Sequence, residues 1–305
     1  MNIICFMNTR STSFHKLNAD NKLPLFKKAL WILFNFFENT AGLIVSKKLQ
    51  LETPDIKERS LQSFQSIGSE TSTPSPTRLF CDVFWQVLDL NFIRSFLGPD
   101  INSIEIGCGH GIYGEFLSEN FGNQFSYLGV DPVSSNNWDL LSSNNNDLSF
   151  KIGSSDEVSD FLSGKNFIFT QSAIEHFDND LVFFQNISNY VNNVSFSTFQ
   201  VHTFPSSFAL LTYPFHGIRQ YNKRNINKII KLFPRSHIKL ISLGSLQSIF
   251  YHLRVITLPR LLGKKDLRKV DRESYINGLM NAANKDLLNP RKSIAGFYAL
   301  IIQTP

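Results

Sequence analysis

Residues 104–111 read Ile-Glu-Ile-Gly-Cys-Gly-His-Gly, and this octet constrains the fold more than any other segment. An apolar run long enough for a short strand ends in an acid. Three glycines follow at alternate positions, Gly107, Gly109 and Gly111, and then a segment able to start a helix. Glycine lets the backbone turn sharply and approach a ligand with no Cβ in the way. The pattern predicts a strand, a tight turn and a helix start around a nucleotide-type ligand. An acid before the turn suits hydroxyls or positive charge better than a bare phosphate.

Downstream, short apolar runs alternate with helical patterns. Strands are predicted at 102–106, 125–130, 148–152, 166–171, 194–201, 237–243 and 296–303. Helices are predicted near 111–120, at 179–191 and through Ile226, Ile229, Ile230 and Phe233. Upstream, Phe84, Leu88, Phe92 and Phe96 recur every four residues, which predicts one amphipathic helix stopped by Gly98-Pro99. The expected class is α/β: a Rossmann-like, doubly wound, seven-stranded, mostly parallel sheet with helices on both faces and an N-terminal helical extension. The expected organisation is an extension over 1–62, a Ser/Thr/Pro-rich linker over 63–78 and a main domain over 79–305, with a basic insertion at about 244–295.

In such a sheet the ligand sits at the carboxyl ends of the strands. The second strand ends in Asp131, 24 residues after Gly107, where a carboxylate can accept the hydroxyls of an adenosine ribose. The third ends in Gly153-Ser154-Ser155-Asp156, placed to reach an adenine edge. The fourth ends in Thr170-Gln171-Ser172-Ala173-Ile174-Glu175-His176-Phe177. Four successive strand ends thus offer polar groups to one ligand. A nicotinamide fingerprint over Gly109, Gly111 and Gly114 is the rival register. It would set Glu105 against a pyrophosphate, where like charges repel.

These segments resemble those of class I S-adenosylmethionine-dependent methyltransferases of the small-molecule group. Glu105-Ile-Gly107-Cys-Gly109-His-Gly111 resembles the cofactor loop, Val130-Asp131-Pro132 the ribose-binding acid, and Ile174-Glu175-His176-Phe177 the segment after the fourth strand. Tyr213–Arg219 is similar to the region after the fifth. The resemblance covers 80–235 firmly and 236–305 loosely. It implies S-adenosyl-L-methionine as cofactor, held by Glu105, Gly107, Gly109, Gly111, Asp131, Ser154, Asp156 and Gln171. Two departures stand out: Ser154 occupies a position where the group often has an acid, with Asp156 two residues on. An Asn/Asp-Pro-Pro-Tyr signature for methylating base amines is missing.

Methyl transfer to a hydroxyl needs a proton acceptor, and histidine is the usual agent. His176 is the first candidate, with His202 and His216 behind it, and a local structural role for His176 is the alternative. Cys5, Cys81 and Cys108 form no CxxC pair, so neither a disulfide nor a metal site is expected, and a reducing compartment fits. The apolar run at 3–7 is too short for a signal-peptide core, which predicts a cytoplasmic protein.

From His216 to Arg272 the chain has 14 lysines and arginines against two aspartates. This predicts an anionic acceptor, with a solvated surface as the plainer account. The leading expectation is O-methylation of a sugar or glycan intermediate of cell-surface polysaccharide assembly. The alternatives are another small metabolite, RNA, or a catalytically silent cofactor-binding interaction subunit; with no RNA-binding module in the sequence, nucleic acid is disfavoured. Residues 24–45, with Lys27 and Lys28 beside Trp31 and several Phe, suit either packing on the domain or peripheral contact with a membrane surface.

Overall fold

A computed structural model describes residues 10–44, 51–54, 61, 67 and 73–305. The apolar run at 3–7 and residues 63–66 and 68–72 of the expected linker lie outside the described residues. The N-terminal part contains helix α1 (Leu25–Ile44) and a two-residue strand β1 (Leu51–Glu52). Helices α2 (Pro76–Val87) and α3 (Leu90–Leu97) lead into β2 (Ile101–Ile106), α4 (Ile112–Phe121), β3 (Phe125–Asp131), α5 (Asn137–Asn144) and β4 (Leu148–Ile152). Then come β5 (Phe167–Gln171), α6 (Asp180–Val191), β6 (Thr198–Pro205), α7 (Ala209–Thr212), α8 (Lys223–Ile230) and β7 (His237–Leu243). A helical insert of α9 (Leu246–His252), a π-helical turn (Leu253–Thr257), α10 (Leu258–Leu261), α11 (Leu267–Val270) and α12 (Arg272–Leu288) precedes β8 (Phe297–Thr304).

The sheet order is β1-β7-β8-β6-β5-β2-β3-β4. All pairings are parallel except those of β8, which runs antiparallel to both β6 and β7. The winding reverses between β2 and β5, so the crevice of a doubly wound sheet lies above these two strands. Helices cover both faces. One face buries Phe84, Trp85, Leu117, Tyr127, Phe167 and Phe199; the other buries Ile104, Val130, Ile168, Phe184, Ile187 and Ile226.

Four expectations need correction. The sheet has eight strands, because Leu51 and Glu52 pair with Leu240 and Ile241 at the edge; two residues are too few to show a strand period. The helix expected through Phe84–Phe96 is two helices, since Asp89 caps the second by accepting from Phe92 N–H at 2.9 Å. The linker ends earlier than 78: Ser75 caps α2 and Pro76 occupies its first turn. The strand expected at 194–201 starts at Thr198 and runs to Pro205, so His202 lies inside the strand and not beyond it.

The N-terminal segment docks by one side of α1. Trp31, Asn35 and Glu38 are buried. Trp31 Nε1 donates to Gly217 O at 3.0 Å, and Asn35 Nδ2 to Ile218 O at 3.2 Å. Fully buried Asp180 joins three partners: Thr12 N–H at 2.7 Å, Tyr221 OH at 2.8 Å and the Arg219 guanidinium at 3.4 Å. Leu25, Phe26, Leu33, Phe36 and Phe37 on the outer side are exposed. Among the described residues no helix is long and apolar enough to cross a membrane.

Candidate functional site

The glycine loop leaves β2 with Gly107 at φ 79°, Gly109 at φ 51° and Gly111 at φ 78°, in the left-handed region that side chains resist. A Cβ on Gly107 would collide with the Cβ of Ala173, from the segment after β5. At Gly109 a Cβ would meet nothing within 4 Å. The loop is therefore pinned beneath and open above. Asp131 at the end of β3 closes it, accepting from Gly109 N–H at 2.9 Å and Val133 N–H at 3.0 Å. Each carboxylate oxygen has a further acceptor site for a ligand hydroxyl.

Two cavities meet at this edge, and Ser172 lines both. The first, about 490 Å³, is lined by Gly107, Asp131, Asp156, Ala173, His176 and Phe177 among others. The second, about 650 Å³, is lined by Ser75, Thr77, Arg78, Gln171, Tyr213 and His216 among others. Acids stand at the rim of the first, with Ile106, Pro132 and Phe177 supplying apolar walls. The second is rich in hydroxyls and borders two guanidiniums, Arg78 and Arg268.

Glu105, expected at the cofactor, sits elsewhere. Its side chain is buried under the loop, accepts from Tyr127 OH at 2.7 Å and lines neither cavity. Burial pushes its carboxyl up to about 8, with the Tyr127 hydrogen bond working against the rise. Ser154 lines the first cavity, but its N–H and hydroxyl both donate to Glu157, at 2.7 and 2.8 Å, in a capping box. Asp156 remains at the rim, held by Asn179 Nδ2 at 3.2 Å. Gln171 faces the second cavity. Its Oε1 accepts from Trp85 Nε1 at 2.7 Å and Thr203 Oγ1 at 2.6 Å, while its buried Nε2 has no protein partner.

The histidines separate sharply. His202 is fully buried in β6, between Thr170 Oγ1 at 3.0 Å and Gln200 Oε1 at 3.2 Å. Burial drives its imidazole down to about 3, so it stays neutral and out of a substrate's reach. His176 and His216 stand together at the cavity walls with ring centroids 4.7 Å apart. His176 Nδ1 donates to Asp20 Oδ2 at 2.7 Å, and its Nε2 lies 3.9 Å from Glu175 Oε1. Burial pulls the His176 pKa down, but the Asp20 hydrogen bond and the charges of Glu175 and Asp20 outweigh it, and the net shift is upward. For Asp20, burial acts upward, and the hydrogen bonds from His176 and His216 carry the carboxyl far below its usual range.

Asp20 was not foreseen, because it arrives from 156 residues upstream and no local pattern marks it. Glu175 is visible beside His176, but its burial is not. In the backbone, though not in the sequence, a mark accompanies each: among the described residues the non-glycine residues with positive φ are Lys22, Ser172 and Phe215, near Asp20, Glu175 and His216. Such outliers persist only where surroundings hold them and cluster at functional sites.

The cavity walls fit S-adenosylmethionine. The open glycine loop, the Asp131 acceptor sites, the Asp156 rim and the unpartnered amide of Gln171 answer its hydroxyl, amine and amino-acid groups. No family model matches the chain, and no curated protein matches it. Among solved structures it is similar to phosphoethanolamine N-methyltransferase 2 of Haemonchus contortus in complex with S-adenosyl-L-methionine. That likeness has 12% identity over 71% of this chain and 52% of the other, with a TM-score of 0.44, so this chain spans about half that protein's length. It is also similar to a SAM dependent methyltransferase from Archaeoglobus fulgidus, at 16% identity over 70% and 91% of the two chains with a TM-score of 0.44. A third similar structure is the (4+2)-cyclase SpnF, at 10% identity over 97% and 99% with a TM-score of 0.48.

Proposed function

We propose that the chain is an S-adenosylmethionine-dependent methyltransferase that O-methylates an anionic sugar or glycan intermediate of cell-surface polysaccharide assembly. The observation that carries the reading is the pair of cavities joined at Ser172. One presents Asp131 and the open glycine loop to a nucleoside. The other presents Ser75, Thr77 and Tyr213 hydroxyls with Arg78 and Arg268 to a polyhydroxyl, negatively charged acceptor. When bound, the cofactor supplies an electrophilic methyl on a sulfonium. Asp131 would hold its ribose and Gln171 its amino-acid end, beside the wall that the two cavities share. Holding donor and acceptor at close approach supplies much of the acceleration.

His176 is the proposed proton acceptor. With Asp20 taking its Nδ1–H, Nε2 is the basic nitrogen, as in an acid-oriented histidine. On methyl transfer the acceptor hydroxyl's proton would pass to that nitrogen. The exposed aromatic side of α1, flanked by Lys22, Lys27 and Lys28, supports peripheral contact with an anionic membrane where a lipid-linked glycan would be met.

A second reading, a cofactor-binding subunit without turnover, is favoured by one observation: both ring nitrogens of His176 face carboxylates. Calorimetry with S-adenosylhomocysteine, followed by methyl-transfer screens on nucleotide sugars and lipid-linked glycans, separates the two. Absence of cofactor binding would defeat both.

A further inference from the structure

We propose that Asp20, His176 and His216 form a binding site for a divalent transition-metal ion of the zinc type, with Glu175 as the carboxylate behind both imidazoles. The sequence carries no metal motif, because the ligands come from three distant segments. In the fold, one ligand atom from each of the three lies within 4.8 Å of the others. Asp20 Oδ2 is 2.7 Å from His176 Nδ1, and Asp20 Oδ1 is 3.6 Å from His216 Nδ1. Zinc bonds of about 2.0–2.1 Å place tetrahedral neighbours roughly 3.3 Å apart. The two observed spacings straddle that value, so small side-chain rotations admit the ion.

The opposite ring nitrogens supply an independent observation. Nε2 of His176 and Nε2 of His216 lie 3.9 and 3.8 Å from the same atom, Glu175 Oε1. Glu175 is fully buried, and its Oε2 has no protein partner. Metal-bound histidines almost always donate their second N–H to a carboxylate, which fixes tautomer and ring orientation. At 3.8–3.9 Å neither approach is itself a hydrogen bond, but one buried carboxylate lies within a small rotation of both imidazoles. Ser172 Oγ, donating to Oε1 at 2.7 Å, steadies it. The donor set selects the ion: two imidazoles with a carboxylate suit zinc, iron, cobalt or nickel, whereas magnesium and calcium take oxygen cages.

Place adds a role. His176 lines the first cavity and His216 the second, so the ion's remaining positions open at the junction. There it would hold an acceptor oxygen and favour its deprotonation. This role rests on the methyl-transfer reading; ion binding does not. The ion and general-base action by His176 are alternative uses of one ring.

Full-length protein without a histidine tag, stripped with chelator, is titrated with Co²⁺. The expected result is one Co²⁺ per chain with visible d–d bands, displaced by Zn²⁺. Asp20→Asn and His216→Gln should each abolish the bands, and Glu175→Gln should weaken binding by about 10- to 100-fold. The ligands come from separate segments, and circular dichroism shows which variants fold. In the wild type, Zn²⁺ should shift two imidazole resonances in histidine-selective NMR. No saturable Co²⁺ uptake, bands that survive both ligand substitutions, or unmoved resonances would each overturn the site. S-adenosylhomocysteine calorimetry on the same preparations keeps the outcomes apart: cofactor binding without cobalt defeats only the metal site, and the reverse defeats only the methyl-transfer reading.

Discussion

The two sides of the crevice are built by different means. On the proposed nucleoside side, Gly107, Asp131 and Asp156 sit at or just beyond successive strand ends, and backbone geometry delivers them. On the proposed acceptor side, Ser75, Tyr213, His216 and Arg268 come from a helix cap, the loop between α7 and α8 and a short helix of the insert. Contacts over more than a hundred residues gather them, such as Thr77 Oγ1 to Tyr213 OH at 2.7 Å and Tyr275 OH to Pro74 O at 2.7 Å. A regular sheet can fix where a cofactor lies while irregular segments choose what meets it.

That division can be broken experimentally. The largest expected effect is on the nucleoside side: Asp131→Ala should cost S-adenosylhomocysteine affinity by about 100-fold, since it removes both the ribose acceptors and the loop's closure at Gly109. Wild-type affinity by calorimetry would undo the ribose assignment. His176→Ala should leave that affinity unchanged and lower turnover by about 10²-fold. If turnover holds, the proton goes elsewhere.

Next in size is a pH effect, opposite in sign for the two kinds of buried group. Glu105 under the glycine loop has its folded pKa raised to about 8. The native state then binds more protons than the unfolded chain, and this contribution to stability is lost as pH rises from the unfolded value through 8. His252 in the insert is lowered to about 3 by burial and then by Arg268 and Arg260, and His15 to about 4 by burial and Arg219. For these the native state binds fewer protons, so stability is full above pH 6.5 and lost as pH falls toward 4. Melting temperature should therefore peak near neutrality. Glu105→Gln should flatten the alkaline limb alone; an unaltered limb would show that Glu105 does not titrate as described. The smallest effect belongs to the outer side of α1. Phe36→Ser with Phe37→Ser should change stability by less than about 0.5 kcal/mol yet reduce sedimentation with phosphatidylserine vesicles. Equal sedimentation would remove the membrane contact.

Legibility follows the same line. The glycine turn, the strand end at Asp131 and seven strands were readable because strand period, glycine spacing and strand–helix–strand length are local properties. The position of Glu105 was misread: alternation along β2 turns its side chain into the core, and only the sheet shows which face Tyr127 shares. His202 was misplaced because a four-residue shift of β6 moved it from a loop into the interior. Asp20 left no trace, since its role exists only when the N-terminal segment meets β5's exit and the loop before Arg219. The insertion was expected at about 244–295, but its helices went unread, as the basic residues interrupt the apolar spacing of the buried anchors, among them Ile249, Ile256, Tyr275, Leu279 and Ala283, that seat it.

The junction at Asp180 also dictates an order of events during synthesis. Thr12 is among the earliest described residues to leave the ribosome, yet its seat needs Asp180, Arg219 and Tyr221. Trp31 likewise waits for Gly217. Trp31 and Gly217 lie 186 residues apart, so this seat is complete only after that length has been made. A segment made before its seat exists exposes its apolar residues in the meantime, and such exposed surface is what makes a nascent chain prone to aggregate.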